Sequence, residues 1–145
     1  MRYKAGWFIP QQIMALTHLV PEVIVDDFVG IVNATNACLE EVQHPFHLII
    51  DNRIIKSDQV VSLDVILQTM SQLQQSPLRW IVMVLPHDLR DTAASRAVQR
   101  IRDVQLRYVD RLTTAFDVLQ KEDASINWAA QVSDFFVEAS HLANE

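Results

Sequence analysis

The chain has 145 residues, 50% of them hydrophobic, and a formal net charge of −6 with a pI near 5.2. That length suits a single domain with a real core. The acidic balance argues against nucleic acid as a main partner, because phosphate backbones are held by clustered Lys and Arg, and more weakly against anionic membrane surfaces.

The first residues, MRYKAGWFIPQQ, lack the apolar run and small-residue cleavage site of a signal peptide. No apolar stretch approaches the roughly 18 residues that a membrane span needs. The single cysteine, Cys38, excludes an internal disulfide and fits a reducing compartment. A cytoplasmic protein is expected.

The segment YKAGWFIPQQIMALTHLV reads as two short strands around a turn at Pro10-Gln11-Gln12. From Asp26 to Val42 the apolar positions Phe28, Ile31, Val32, Cys38, Leu39 and Val42 recur at helical spacing. Cys38 therefore belongs to a packed stripe. Asp26 or Asp27 can cap this helix and favours the positive end of its dipole. Pro45 stops it, since the residue before a proline avoids helical geometry.

Phe46 to Ile50 reads as a buried strand. Asp58 or Ser62 can open the next helix, whose inner face is Leu63, Ile66, Leu67, Met70 and Leu73. Ser76-Pro77 ends it. The continuous apolar run RWIVMVLP, residues 79 to 86, has the texture of a strand covered on both faces. A third helix is expected to carry Ala94, Ala97, Val98, Ile101 and Val104 on one side. The stretch LRYVDRL, residues 106 to 112, alternates as a short strand, and Thr113 or Thr114 caps a fourth helix through Ala115, Phe116, Val118 and Leu119.

Strands alternating with helices of this length predict an α/β fold with a mixed, mostly parallel sheet. The N-terminal hairpin adds an antiparallel edge, and four to five helices are expected. Residues 1–124 form the α/β domain. Residues 125–145 stand apart, with Trp128, Val132, Phe135, Phe136, Ala139 and Leu142 on one face of a terminal helix capped by Ser125 or Asn127. This helix either covers its own sheet or docks onto a second subunit or partner, where aromatics make strong anchors.

The chemical signals are sparse. Only two glycines occur, so neither a phosphate-cradling P-loop nor a dinucleotide fingerprint is present. A Gly-x-Ser-x-Gly nucleophile elbow is also missing. None of the five histidines pairs with another ligand at a usual metal spacing. Ligands tend to bind beyond the carboxyl ends of parallel strands. The loops there supply Asp51, Arg53, Lys56 and Asp58 after one strand and His87, Asp88 and Arg90 after the next. They read as a charged rim, with no catalytic residue, cofactor or metal site expected.

The order of elements resembles the STAS domain, the module of sulfate transporters and anti-sigma-factor antagonists. The nearest likeness is to its small, stand-alone SpoIIAA-like branch, which is also similar to the lipid-binding CRAL-TRIO fold. The resemblance covers residues 3 to 122. It rests on Trp7 with Pro10, Asp26-Asp27, HLIID at 47 to 51, PLRWIVMV at 77 to 84 and RYVDRLTTAFDVLQ at 107 to 120. It implies a non-catalytic regulatory module that binds a protein partner, such as a kinase, or itself as a homodimer. A small-molecule or lipid-binding role is the alternative. Phosphorylated members carry an Asp-Ser-Ser-Gly-type motif after the HLIID-like strand. Here that stretch reads Gln59-Val60-Val61-Ser62, with Ser57 nearby. The expected docking surface comprises Ser57, Asp58, Ser62, Trp128, Val132, Phe135 and Phe136.

Overall fold

Side chains along the central strands alternate between two apolar layers, and that alternation organises the molecule. The structure is a computed structural model describing residues 1–145. Its strands are β1 (Tyr3–Ile9), β2 (Ile13–His18), β3 (Phe46–Asp51), β4 (Leu78–Val84), β5 (Gln99–Ile101) and β6 (Val104–Val109). They form one sheet in the order β1-β2-β3-β4-β6-β5. The hairpin β1-β2 is antiparallel, β2 to β6 run parallel through β3 and β4, and β5 closes the far edge antiparallel to β6. The predicted mixed α/β class is the observed one.

Five α-helices flank the sheet: α1 (Val25–Leu39), α2 (Leu63–Thr69), α3 (Ser71–Gln75), α4 (Leu112–Glu122) and α5 (Val137–Leu142). Leu48 and Ile50 of β3 and Ile81 and Met83 of β4 face one layer, with Ile31 and Cys38 of α1 and Leu63, Leu67 and Leu73 of α2 and α3. Ile49, Val82 and Val84 face the other, with Ala115, Val118 and Leu119 of α4 and Phe135 and Phe136 beyond it. The result is helix, sheet, helix, with the strands hidden between two cores, as their continuous apolar texture requires.

Local signals decide the helix starts. Asp27 does not sit at the cap of α1. It lies three residues in and accepts the Ile24 N–H at 3.1 Å, while Arg2 pairs with it at 3.0 Å. Burial works against the ionised Asp27, but the Ile24 and Arg2 hydrogen bonds outweigh it and hold the carboxyl below its usual range. Ser62 does cap α2, its hydroxyl accepting the Val65 N–H at 3.4 Å. Neither Thr113 nor Thr114 caps α4. The helix begins at Leu112 after Arg111, and Thr114 Oγ1 donates instead to Asp110.

The third helix expected over 94–104 is absent. A 3-10 helix, His87–Ser95, leads into the β5-β6 hairpin. Ile101 and Val104 are partners across its two-residue turn, where Arg102 takes φ 55°. Partners across so tight a turn lie three apart in sequence, which imitates helical spacing. Within the 3-10 helix, the Thr92 and Ser95 hydroxyls donate to the Leu89 and Thr92 carbonyls, three residues back. Such local bonds compete with regular helix.

The terminal segment is not one helix. A 3-10 turn, Trp128–Ala130, a loop and then α5 replace it. Neither Ser125 nor Asn127 caps a long helix. Gln12, at the hairpin turn, donates to the Ser125 carbonyl at 3.0 Å and accepts the Asn127 N–H at 2.7 Å. Val132 N–H donates to the Phe8 carbonyl on the edge strand at 2.8 Å. The segment is thus stitched to its own sheet.

Candidate functional site

The parallel strands end together. Thr17, Asp51, Val84 and Val109 stand in register across β2, β3, β4 and β6. Beyond them lies the carboxyl edge of the sheet, where the loops carry most of the charged residues singled out above. The key pair is buried. Arg53 donates from Nε to Asp51 Oδ1 and from Nη2 to Asp51 Oδ2, both at 2.8 Å. Thr17 Oγ1 donates to the same Oδ2 at 2.8 Å, and the Arg53 backbone N–H reaches Oδ1 at 3.2 Å. This is the planar fork that arginine makes with a carboxylate.

The chain's last residue completes the network. Glu145 Oε2 accepts from Arg53 Nη1 at 3.3 Å and Glu145 Oε1 pairs with Arg90 Nη2 at 3.1 Å. Arg90 Nη1 also lies 3.4 Å from His87 Nδ1. Burial alone would lower the Arg53 pKa, but the bonds and charge of Asp51, then of Glu145, hold it above its ordinary value. Asp51, Arg53, His87 and Arg90 therefore do converge, as their strand-end positions imply. Lys56 does not join them; its ammonium pairs with Glu22 at 2.7 Å. Glu145 was not legible as a member, because no local pattern connects it with residues 92 positions away.

A second polar pair sits at the opposite edge. His47 Nε2 donates to Asp123 Oδ2 at 2.8 Å, and His47 Nδ1 is buried without a partner. Protonating the ring would bury an unsatisfied N–H there. Desolvation accordingly pulls the His47 pKa below its usual value, against the opposing pull of Asp123. Ser125 Oγ donates to Asp123 and not to His47, so these three groups do not form a nucleophilic triad. No group of three or more His, Cys, Asp or Glu side chains could hold a metal ion.

The residues expected to form one docking surface fall on two sides of the sheet. Ser57 begins the short 3-10 turn Ser57–Gln59, Asp58 is exposed within it, and Ser62 caps α2, all beside the α1/α2 layer. Trp128, Phe135 and Phe136 pack into the α4 layer, with Phe135 and Phe136 each only 5% exposed. Phe136 approaches Phe8 at 5.0 Å between ring centroids, and Phe116 meets Trp128 at 5.6 Å. Val132 keeps its side chain at the surface. The aromatic face thus serves the chain's own core, since edge strand β1 leaves Phe8 to be covered.

Several exposed aliphatic side chains at the starts of α1 and α2 were not legible in the sequence. Val25 is 77% exposed, Val29 51%, Ile24 47% and Val65 46%. The loop between β3 and α2 lies alongside: Lys56 N–H donates to the Pro21 carbonyl at 3.0 Å and Val23 N–H to Gln59 Oε1 at 3.1 Å. Beneath these loops is an apolar cavity of about 80 Å³ whose wall includes Phe28, Ile31, Ile66 and Met70, with His18 and Asn52 as polar members. No helix is long and apolar enough to cross a membrane. No protein-family model, curated protein or solved structure matches the chain.

Proposed function

We propose that this chain is a non-catalytic, STAS-like interaction module that docks on protein, most simply on a second copy of itself. The observation that carries the reading is the exposure of Ile24, Val25, Val29 and Val65 at the starts of α1 and α2, with the segment before α1 bonded to the 52–62 loop. Contiguous exposed apolar surface rimmed by polar groups is typical of association sites. Glu22, Lys56 and Asp58 supply that rim. The loop is also where the STAS resemblance places the family's switch, although the phosphorylatable Asp-Ser-Ser-Gly-type motif is missing here. Association there would be driven by apolar burial, with the rim setting orientation.

The test is light scattering of the parent and of V25D/V29D across protein concentrations. Both valines are exposed, so these changes should leave the fold within about 0.5 kcal/mol of the parent. A concentration-dependent dimer in the parent that V25D/V29D abolishes is the expected result. Two monomers throughout would sink self-docking.

The apolar cavity supports a second reading, a small-ligand module. Its volume, about 80 Å³, is below the roughly 150 Å³ that accommodates benzene in an engineered core. It suits a molecule of few heavy atoms better than a lipid chain. Native mass spectrometry detecting a bound small molecule, lost on replacing Met70 with Trp, would favour this role over docking.

A further inference from the structure

The carboxyl edge carries a second feature, independent of the docking surface. A cavity of about 370 Å³ lies between the ends of β3, β4 and β6 and the C-terminal segment, lined by Arg53, Arg90, Arg111, Thr113 and Glu145 among others. Three successive parallel strands each contribute one arginine from the loop that follows them. We propose that this cavity is a binding site for a phosphate group, and that the Glu145 side chain is its built-in competitor.

The donors outnumber what Glu145 uses. Its two carboxylate oxygens engage Arg53 at 3.3 Å and Arg90 at 3.1 Å. Arg111 forms no ion pair with it, and its own acid partner, Asp110, stands 4.0 Å away, the longest of the chain's ion pairs. The first turn of the eleven-residue helix α4 opens on the same cavity through Leu112 and Thr113, with no side chain capping its N–H groups and no acidic residue in that turn. Free N–H groups and the positive end of a helix dipole favour an anion. A carboxylate offers two oxygens. A phosphate offers three and more charge, enough to engage Arg90, Arg111 and the helix end together.

Arg53 is fixed in advance by its fork to Asp51, with its Nη1 directed to Glu145. A site whose donors are already held loses little ordering entropy on binding. Phosphate entry would displace Glu145, so binding and release of the C-terminal residues are linked. The linkage is reciprocal: whatever frees Glu145 tightens phosphate.

Inorganic phosphate and glycerol phosphate are the probes, titrated by calorimetry at constant ionic strength, with acetate as the carboxylate control. The variants are E145Q, R90Q and R111Q; Arg53 is left alone because the fold depends on it. Expected are saturable phosphate binding, about tenfold tighter in E145Q, and a loss of about tenfold or more in R90Q and R111Q, the scale of one charge-assisted bond. Thermal melts of R111Q should match the parent, since that side chain is 60% exposed. Tighter binding of the ester assigns the rest of the cavity to an organic group; tighter binding of free phosphate assigns the site to the ion, and both support it. No saturable phosphate binding to E145Q overturns the proposal. So does binding that R90Q and R111Q leave unchanged, or acetate binding as tight as phosphate.

Discussion

Arg53 shows how much of this molecule depends on one side chain. Its guanidinium joins Asp51, two positions earlier, to Glu145, ninety-two positions later. Asp51 is 1% exposed. Removing the arginine would strand that carboxylate in a dry environment, where an uncompensated charge costs far more than the pair contributes. Arg53→Ala should lower stability by about 3–5 kcal/mol, read from the urea midpoint. Arg53→Lys should recover only part of this, because an ammonium cannot make the fork. If both variants melt like the parent, the pair is not structural. Gly30 is a quieter example. A Cβ there would run into the Tyr3 hydroxyl, so the glycine lets β1 lay an aromatic ring against α1.

Elements built from clear periodicity sit close to where the pattern puts them, and those that deviate do so for stated reasons. The hairpin β1-β2, α1, β3, α2 and β4 all begin within two residues of expectation or share most of their span. The β5-β6 hairpin was hidden because its cross-turn pair imitates a helix. The terminal aromatics were grouped correctly but not as one helix. Their job is local: Phe8, Phe116, Phe135 and Phe136 form one cluster, with Phe8 and Phe116 stacked at 5.4 Å. Phe136→Ala should therefore cost about 3–5 kcal/mol, the usual range for truncating a buried phenylalanine. A chain ending at Asp123 should lose cooperative thermal unfolding altogether. Retention of the parent's melting temperature by either would show that the segment is dispensable cover.

At the scale of the whole molecule, one histidine is buried at each edge of the sheet. Desolvation lowers the His18 pKa, with Asp51 and Asp27 opposing it, and His47 is lowered in the same way. In the fold both take up a proton only at lower pH than in the unfolded chain, where they bind protons once pH falls below about 6.5. Their contribution to stability is complete above that pH and is lost as pH falls from about 6.5 toward the folded values. Asp27 and Asp123 are shifted down too, so their contribution persists to lower pH and is lost only as pH falls below about 4. Melting temperature should thus decline in two stages on acidification. Replacing both His18 and His47 with Gln should flatten the upper stage. A parent profile flat between pH 7 and 5 would refute this assignment.

By itself the sequence determined the α/β class, the hairpin, the two-sided burial of β3 and β4, and the edge at which charged loops gather. Those features follow from neighbours in sequence: strand texture, helical spacing and the residues that start and stop each element. The tertiary structure alone decided that the aromatics of the last twenty residues face inward, that valines at the start of α1 face outward, and that Glu145 joins Arg53 and Arg90. Each of these depends on which surfaces meet across long sequence separations. Local periodicity marks a side chain as apolar or charged, but only the packed arrangement of the layers determines what it touches.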